Sequence, residues 1–227
     1  MNYIYHHLGL GDHIICNGMV RHFHKEKGSL KLFCYEHNYK NVSYMYRDLD
    51  NFELILVKDV NEAESIVKNL DSSNEVIRIG FDKLLEFSDR IFDEAFYAIA
   101  GLDFSVRMNE FYFERELEVE KEILSRMNPT GEKYVFIHDD IHRGFKIDES
   151  RILSPYKKIY NDNSIPLFHC ISLIENAEEV HVMQSSIKDL INSLKFPKPK
   201  FFLHEYVRDL PYSLVDTKGY NKFTNLK

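Results

Sequence analysis

Apolar and polar positions along this chain fall into blocks that switch between two periods. Residues 3–8 alternate as β-prone side chains and run into Gly9 and Gly11, after which apolar positions recur at helical spacing from Ile14 to Phe23. This predicts a strand, a glycine turn and a helix over about residues 13–27 that ends at Gly28. Both turn glycines are expected to allow positive φ and close approach of a ligand to the first free N–H groups of the helix. The pattern then predicts a strand over 30–35, a short helix over 42–48, a strand over 53–57, a helix over 61–70 opened by Asn61, and a strand over 76–80. Strands alternating with helices predict a parallel sheet with helices on its faces.

A helix is predicted over 88–102, with Phe92, Phe96 and Tyr97 as core. A charge-rich stretch over 114–127 comes next, and Asn128-Pro129-Thr130-Gly131 is the clearest break in the chain. Strand character resumes at 133–138. Residues 167–177 read as a helix, 179–183 as a strand, a helix opens at Gln184-Ser185-Ser186, and 200–206 is the last strand before a tail rich in Tyr, Lys and Asn. Residues 148–159 fit neither period. The restart after the break predicts an α/β protein of two Rossmann-like domains facing a cleft, residues 1–125 and 126–227.

The chain has 227 residues, 44% of them apolar, enough for two small cores. Its net charge of −7 speaks against a general nucleic-acid binder. No apolar run has the length of a membrane span, and the N-terminus lacks the pattern of a signal peptide, so a cytoplasmic protein without an integral membrane span is expected. Three separated cysteines, Cys16, Cys34 and Cys170, read as reduced, buried apolar residues. Asp139-Asp140, His6-His7 and the His22, His24 pair all place neighbours on different sides of their element, and no zinc motif is present. No metal and no cofactor is expected.

Two stretches carry a resemblance. Residues 7–15, His-Leu-Gly-Leu-Gly-Asp-His-Ile-Ile, resemble the N-terminal glycine-rich turn of GT-B glycosyltransferases, the heptosyltransferase-like group in particular. Residues 177–190, Ala-Glu-Glu-Val-His-Val-Met-Gln-Ser-Ser-Ile-Lys-Asp-Leu, resemble the late strand-to-helix turn that holds the diphosphate of a nucleotide-sugar in such enzymes. The second stretch departs from the pattern in having Gln184 ahead of Ser185 and no glycine after it, and the chain is short for the group.

The resemblance implies a compact, divergent, inverting and metal-independent glycosyltransferase of surface-glycan or lipopolysaccharide-type synthesis. Its partners would be a nucleotide-sugar donor and a glycan or glycolipid acceptor. By position Asp12 would be the general base, with His13 as the alternative, while helix capping remains the other reading of Asp12. Gly9, Gly11, Ser185 and Ser186 would line the ligand turns, and Arg143 and Lys146 would meet phosphate oxygens. His138, at a strand end, would approach the donor. For Ser185 and Ser186 simple capping, for the loop cations a solvated loop, and for His138 a satisfied core position remain the alternatives.

Two readings of other classes compete. An NAD(P)-dependent oxidoreductase would use Gly9 and Gly11 in its phosphate loop and Glu36 beyond the second strand, but Ile14 stands where that motif has its third glycine. A non-catalytic sugar-binding protein would need only the fold.

Overall fold

The computed structural model describes residues 1–208 and 218–227; residues 209–217 of the tail lie outside the described residues. The chain divides into two compact units, Met1–Glu114 and Arg115–Lys227.

The first unit is built on four parallel strands, β1 (Asn2–Tyr5), β2 (Leu30–Tyr35), β3 (Phe52–Val57) and β4 (Glu75–Arg78), in the spatial order β3-β2-β1-β4. Alternate residues face opposite sides of the sheet. Tyr3, Tyr5, Phe33 and Val57 cluster with Ala63, Ile66 and Val67 of helix α4 (Val60–Lys68). Ile4, Leu32 and Cys34, fully buried, fall on the other side. Helices α2 (Asn17–Lys27) and α3 (Tyr39–Tyr46) contact β2 in this unit. Burial on both faces explains why β1 and β2 read as nearly continuous apolar runs.

The helix expected over residues 13–27 is two helices. α1 (Leu10–Ile15) begins earlier than its apolar pattern suggests, and Cys16 separates it from α2. The separation has an identifiable cause. The Tyr97 hydroxyl, from α5 (Phe92–Ile99), donates to the Ile15 carbonyl at 2.9 Å and accepts from the Met19 amide at 3.3 Å. It thereby replaces the direct Met19-to-Ile15 bond with a side-chain bridge. Gly28 then closes α2 at φ 68°, as the pattern predicts. α4 is opened by Asp59, whose carboxylate accepts from the Glu62 amide at 2.9 Å, and Asn61 lies inside the helix. α5 is shorter than expected at both ends: residues 88–91 follow a 3₁₀ segment over Phe81–Phe87 and end at Ile91, whose extended backbone is the N-cap, and the chain leaves the helix at Ala100. A one-turn helix, α6 (Val106–Asn109), lies against α2.

The second unit begins with α7 (Leu117–Met127), which is tied to residues later in the chain. Buried Glu120 accepts from Ser172 at 2.9 Å and from Arg115, which also reaches Glu175 at 2.7 Å. Five parallel strands make its sheet: β5 (Tyr134–His138), β6 (Lys157–Tyr160), β7 (Glu179–Val182), β8 (Lys200–His204) and β9 (Phe223–Leu226), in the order β6-β5-β7-β8-β9. β6 and β9 are additions to the elements expected from the pattern, and both are edge strands. Residues Leu167–Cys170 form a 3₁₀ turn ahead of α8 (Ile171–Asn176), and α9 (Ser186–Ser193) lies between β7 and β8 in sequence. Ile147 and Ile152 of the loop after β5 pack on Val135 and Ile137. Among the described residues no helix is long and apolar enough to cross a membrane.

Candidate functional site

In each parallel sheet the carboxyl ends of the strands share one edge, and the loops there carry the candidate residues. In the first unit the turn after β1 is made by Gly9, which is the N-cap of α1 at φ −66° and ψ 149°. Neither Gly9 nor Gly11 has positive φ, and Gly11 is already inside the helix, so the conformational reason expected for the two glycines does not hold. Gly9 is required by close approach instead. The Asp12 carboxylate lies over its α-carbon, and a β-carbon there would stand 2.6 Å from Asp12 Oδ2. Asn38, on the turn after β2, donates to the Leu8 carbonyl at 2.8 Å and fixes the chain as it enters the turn.

Asp12 occupies the first turn of α1, where the positive end of the helix favours a carboxylate, while the capping position itself belongs to Gly9. It is half-buried. His13 points the other way. It is 0% exposed and its ring meets His6 edge to face at 4.5 Å, so it has no surface to offer an acceptor arriving from solvent. Burial, with His6 second, pushes its pKa well below the ordinary histidine value. His6, buried and contacting the His7 carbonyl, is brought down to about 4 by burial. His7 Nε2 accepts the Phe81 amide at 2.9 Å, which ties the end of β1 to the chain leaving β4. Gly80, at φ 88°, leaves room for the His7 ring.

In the second unit His138 ends β5, half-buried, with Nδ1 lacking a hydrogen-bond partner among the described residues. Burial holds its pKa down at about 4. The two aspartates after it diverge. Asp139 turns inward and accepts the Ile147 amide at 2.8 Å, and burial raises its pKa. Asp140 pairs with Arg143 across a short antiparallel turn closed by reciprocal Asp140 and Phe145 amide-carbonyl bonds of 3.0 Å. Lys146, on the outgoing limb, stands 3.8 Å from Glu149.

Ser185 is the N-cap of α9 by backbone conformation, yet its hydroxyl makes no capping bond and lies 3.4 Å from the Met183 carbonyl. Ser186 is the first helical residue, so the first amides of α9 have no intrahelical acceptor. One residue absent from the sequence-based set joins these loops. Arg208, just beyond β8, donates to the Gln184 carbonyl and stacks over the Phe145 ring at 5.2 Å. Burial, with the neighbouring Arg143 charge second, lowers its pKa. Arg208 therefore brings the Arg143 loop and the Gln184-Ser185-Ser186 turn together. In sequence it is one Arg after an apolar strand, with no motif to mark it. Among the described residues no three His, Cys, Asp or Glu side chains converge as a metal site would require.

The class of fold these units define is an α/β protein with two parallel sheets, each carrying its candidate loops at the strand carboxyl ends. Among solved structures the chain is similar to the crystal structure of the glycosyl transferase family 9 protein from Veillonella parvula DSM 2008. The TM-score is 0.57 and the identity 10%, and the likeness covers 99% of this chain and 86% of that one. At that identity it is the fold that is shared. No family model matches the chain, and no curated protein is similar to it in sequence.

Proposed function

We propose that the chain is a glycosyltransferase that moves a sugar from a nucleoside-diphosphate sugar to the hydroxyl of a glycan or glycolipid acceptor, with inversion and without a metal. The observation that carries this reading is the junction made by Arg208. It sets two guanidinium groups, the second already held by Asp140, beside an α9 N-terminus whose serine cap leaves its amides uncapped. Charge-assisted donors and helix amides of this kind suit the oxygens of a departing diphosphate. The fold likeness to a glycosyl transferase of family 9 along nearly the whole chain supports the same reading.

In this proposal the second unit binds the donor through Arg143, Arg208, Ser185 and Ser186, with Lys146 and His138 at the margin. The first unit serves the acceptor, and Asp12 takes the proton of the attacking hydroxyl as it forms the bond to the anomeric carbon and the nucleoside diphosphate leaves. Partial exposure leaves the Asp12 carboxylate able to meet a substrate, which buried His13 is not.

A thermal-shift panel tests the reading. Nucleoside diphosphates and their sugars are expected to raise the melting temperature, and NAD(P) is expected to leave it unchanged. Stabilisation by NAD(P) alone would move the protein to the oxidoreductases, and stabilisation by neither would leave a scaffold.

A further inference from the structure

At the opposite edge of the second sheet, where β8 and β9 begin, a groove of about 400 Å³ is lined by Phe196, Lys200, Phe202, Tyr220, Lys222 and Thr224 among others. Its volume is that of a small-ligand cleft, ~300–1,000 Å³. The register makes its charge arrangement unusual. Phe201 pairs with Phe223 and Phe202 with Thr224, so Lys200 and Lys222 stand level, one step earlier, on parallel neighbours about 4.8 Å apart.

Like charges directly across a sheet repel. Neither lysine has an ion-pair partner among the described residues. Glu179 is level with Lys200 on its other side, its carboxylate 3.6 Å from the neutral His181 ring, so one carboxylate flanks the lysine pair. Lys195 adds a third cation at the rim, over the Tyr220 ring at 4.7 Å. In a chain of net charge −7, residues 194–227 hold six lysines and one arginine against three acidic residues, Glu205, Asp209 and Asp216. Lys198 is taken up by Glu178 at 3.3 Å.

From this we infer a second ligand site, for a small organic phosphate whose phosphoryl oxygens bridge Lys200 and Lys222 while its apolar or ring portion lies against Phe202 and Tyr220. Two adjacent lysines without an ion-pair partner among the described residues suit the two charges of a phosphate ester, and Thr224 offers a hydroxyl on the same face of the sheet. The aromatic wall of this open groove favours an ester over free phosphate. The site is at the amino ends of the strands and stands independently of the donor site proposed at their carboxyl ends.

The test uses the full chain carrying Arg143→Ala, so that the proposed donor site contributes less, and measures binding of phenyl phosphate, inorganic phosphate and benzyl alcohol by calorimetry. Phenyl phosphate is expected to bind, more tightly than either of the others. The added pair Lys200→Gln and Lys222→Gln should weaken it at least about tenfold, as loss of charge-assisted contacts does. Lys121→Gln on α7 should not. Without ligand, the double variant should melt at the same temperature or higher, because a repulsion is removed. Undiminished binding in the lysine variant overturns the proposal, and so does absence of phenyl phosphate binding; retention on phosphatidylglycerol vesicles in that case would assign the lysines to a membrane surface. Equal affinity for inorganic phosphate overturns the organic ligand.

Discussion

His181 Nδ1 and His204 Nε2 lie 2.8 Å apart on adjacent strands, and their surroundings decide which nitrogen carries the proton. The Tyr206 hydroxyl accepts the Asp148 amide at 3.0 Å, which leaves its own proton available to His204 Nδ1 at 2.8 Å, and the Glu179 carboxylate beside His181 Nε2 favours a proton there. His204 then donates from Nε2 to His181, and His181 keeps its proton on Nε2, toward Glu179. Both rings are neutral. Burial is the main cause that brings each pKa to about 4, with Lys158 adding to it at His181. At His204, His181 and Arg151 act in the same direction and Asp148 opposes them.

This sets a pH dependence. Below the unfolded histidine pKa of about 6.5 the unfolded chain binds protons that the folded chain refuses until about pH 4, so stability is full above that upper limit and falls between the two. His6 and His138, also lowered to about 4, act in the same window. Each neutral histidine then removes roughly 1.4 kcal/mol per pH unit. Urea midpoints are expected to drop steadily from pH 7 to pH 5. A flat profile over that range would show that these rings are not neutral and buried.

Tyr97→Phe is expected to destabilise the first unit by about 1–3 kcal/mol, because the Ile15 carbonyl and the Met19 amide lose their bridge inside a buried break. Amide exchange at Met19 reports it directly, and unchanged protection there would mean that the two helices close on each other without the hydroxyl.

Asp12→Asn separates chemistry from folding. Gly9 holds the capping position, so at the helix end the exchange removes a favourable charge, about 0.3–1 kcal/mol, and keeps the side chain's shape. A general base contributes ~10²–10⁴-fold in rate, so transfer should fall by at least ~10² while melting temperature and donor affinity hold. Wild-type turnover in this variant would take Asp12 out of the reaction.

Arg208→Ala and Arg143→Ala are each expected to weaken nucleotide-sugar binding, by up to about 1.5–3 kcal/mol for a direct phosphate contact, and Lys146→Ala less, since it is 65% exposed and approaches Glu149. Calorimetric titration with the donor found in the panel measures it. Unchanged affinity in both arginine variants would place the phosphates elsewhere.

The elements legible in the sequence were those whose burial writes a period. Leu30–Tyr35 was readable to the residue because four of its six side chains are buried. β6 was not, since Ile159 is its one buried residue among two lysines and a tyrosine, and β9 has no fully buried residue at all. Both are edge strands, paired on one side. The break at Cys16 was invisible because its cause lies at Tyr97, far along the chain. The loop carrying Arg143 stands out as a candidate by its polar residues at a strand end, and the turn at Ser185 by its resemblance to the glycosyltransferase turn; in the structure both follow strand ends. Arg208 was not, because its significance comes from the two loops it touches.

β1 sits between β2 and β4, so the strand made first is interior to its sheet. Its β2 side finds a partner soon after synthesis, but the other side waits for Glu75–Arg78, roughly 70 residues later. At about 5–20 residues per second that is an interval of roughly 4–14 s in which a strand carrying Tyr3, Ile4 and Tyr5 has an unpaired backbone on one side. Slow codons placed between β1 and β4 would lengthen that exposure, and the load on chaperones during translation should rise with them.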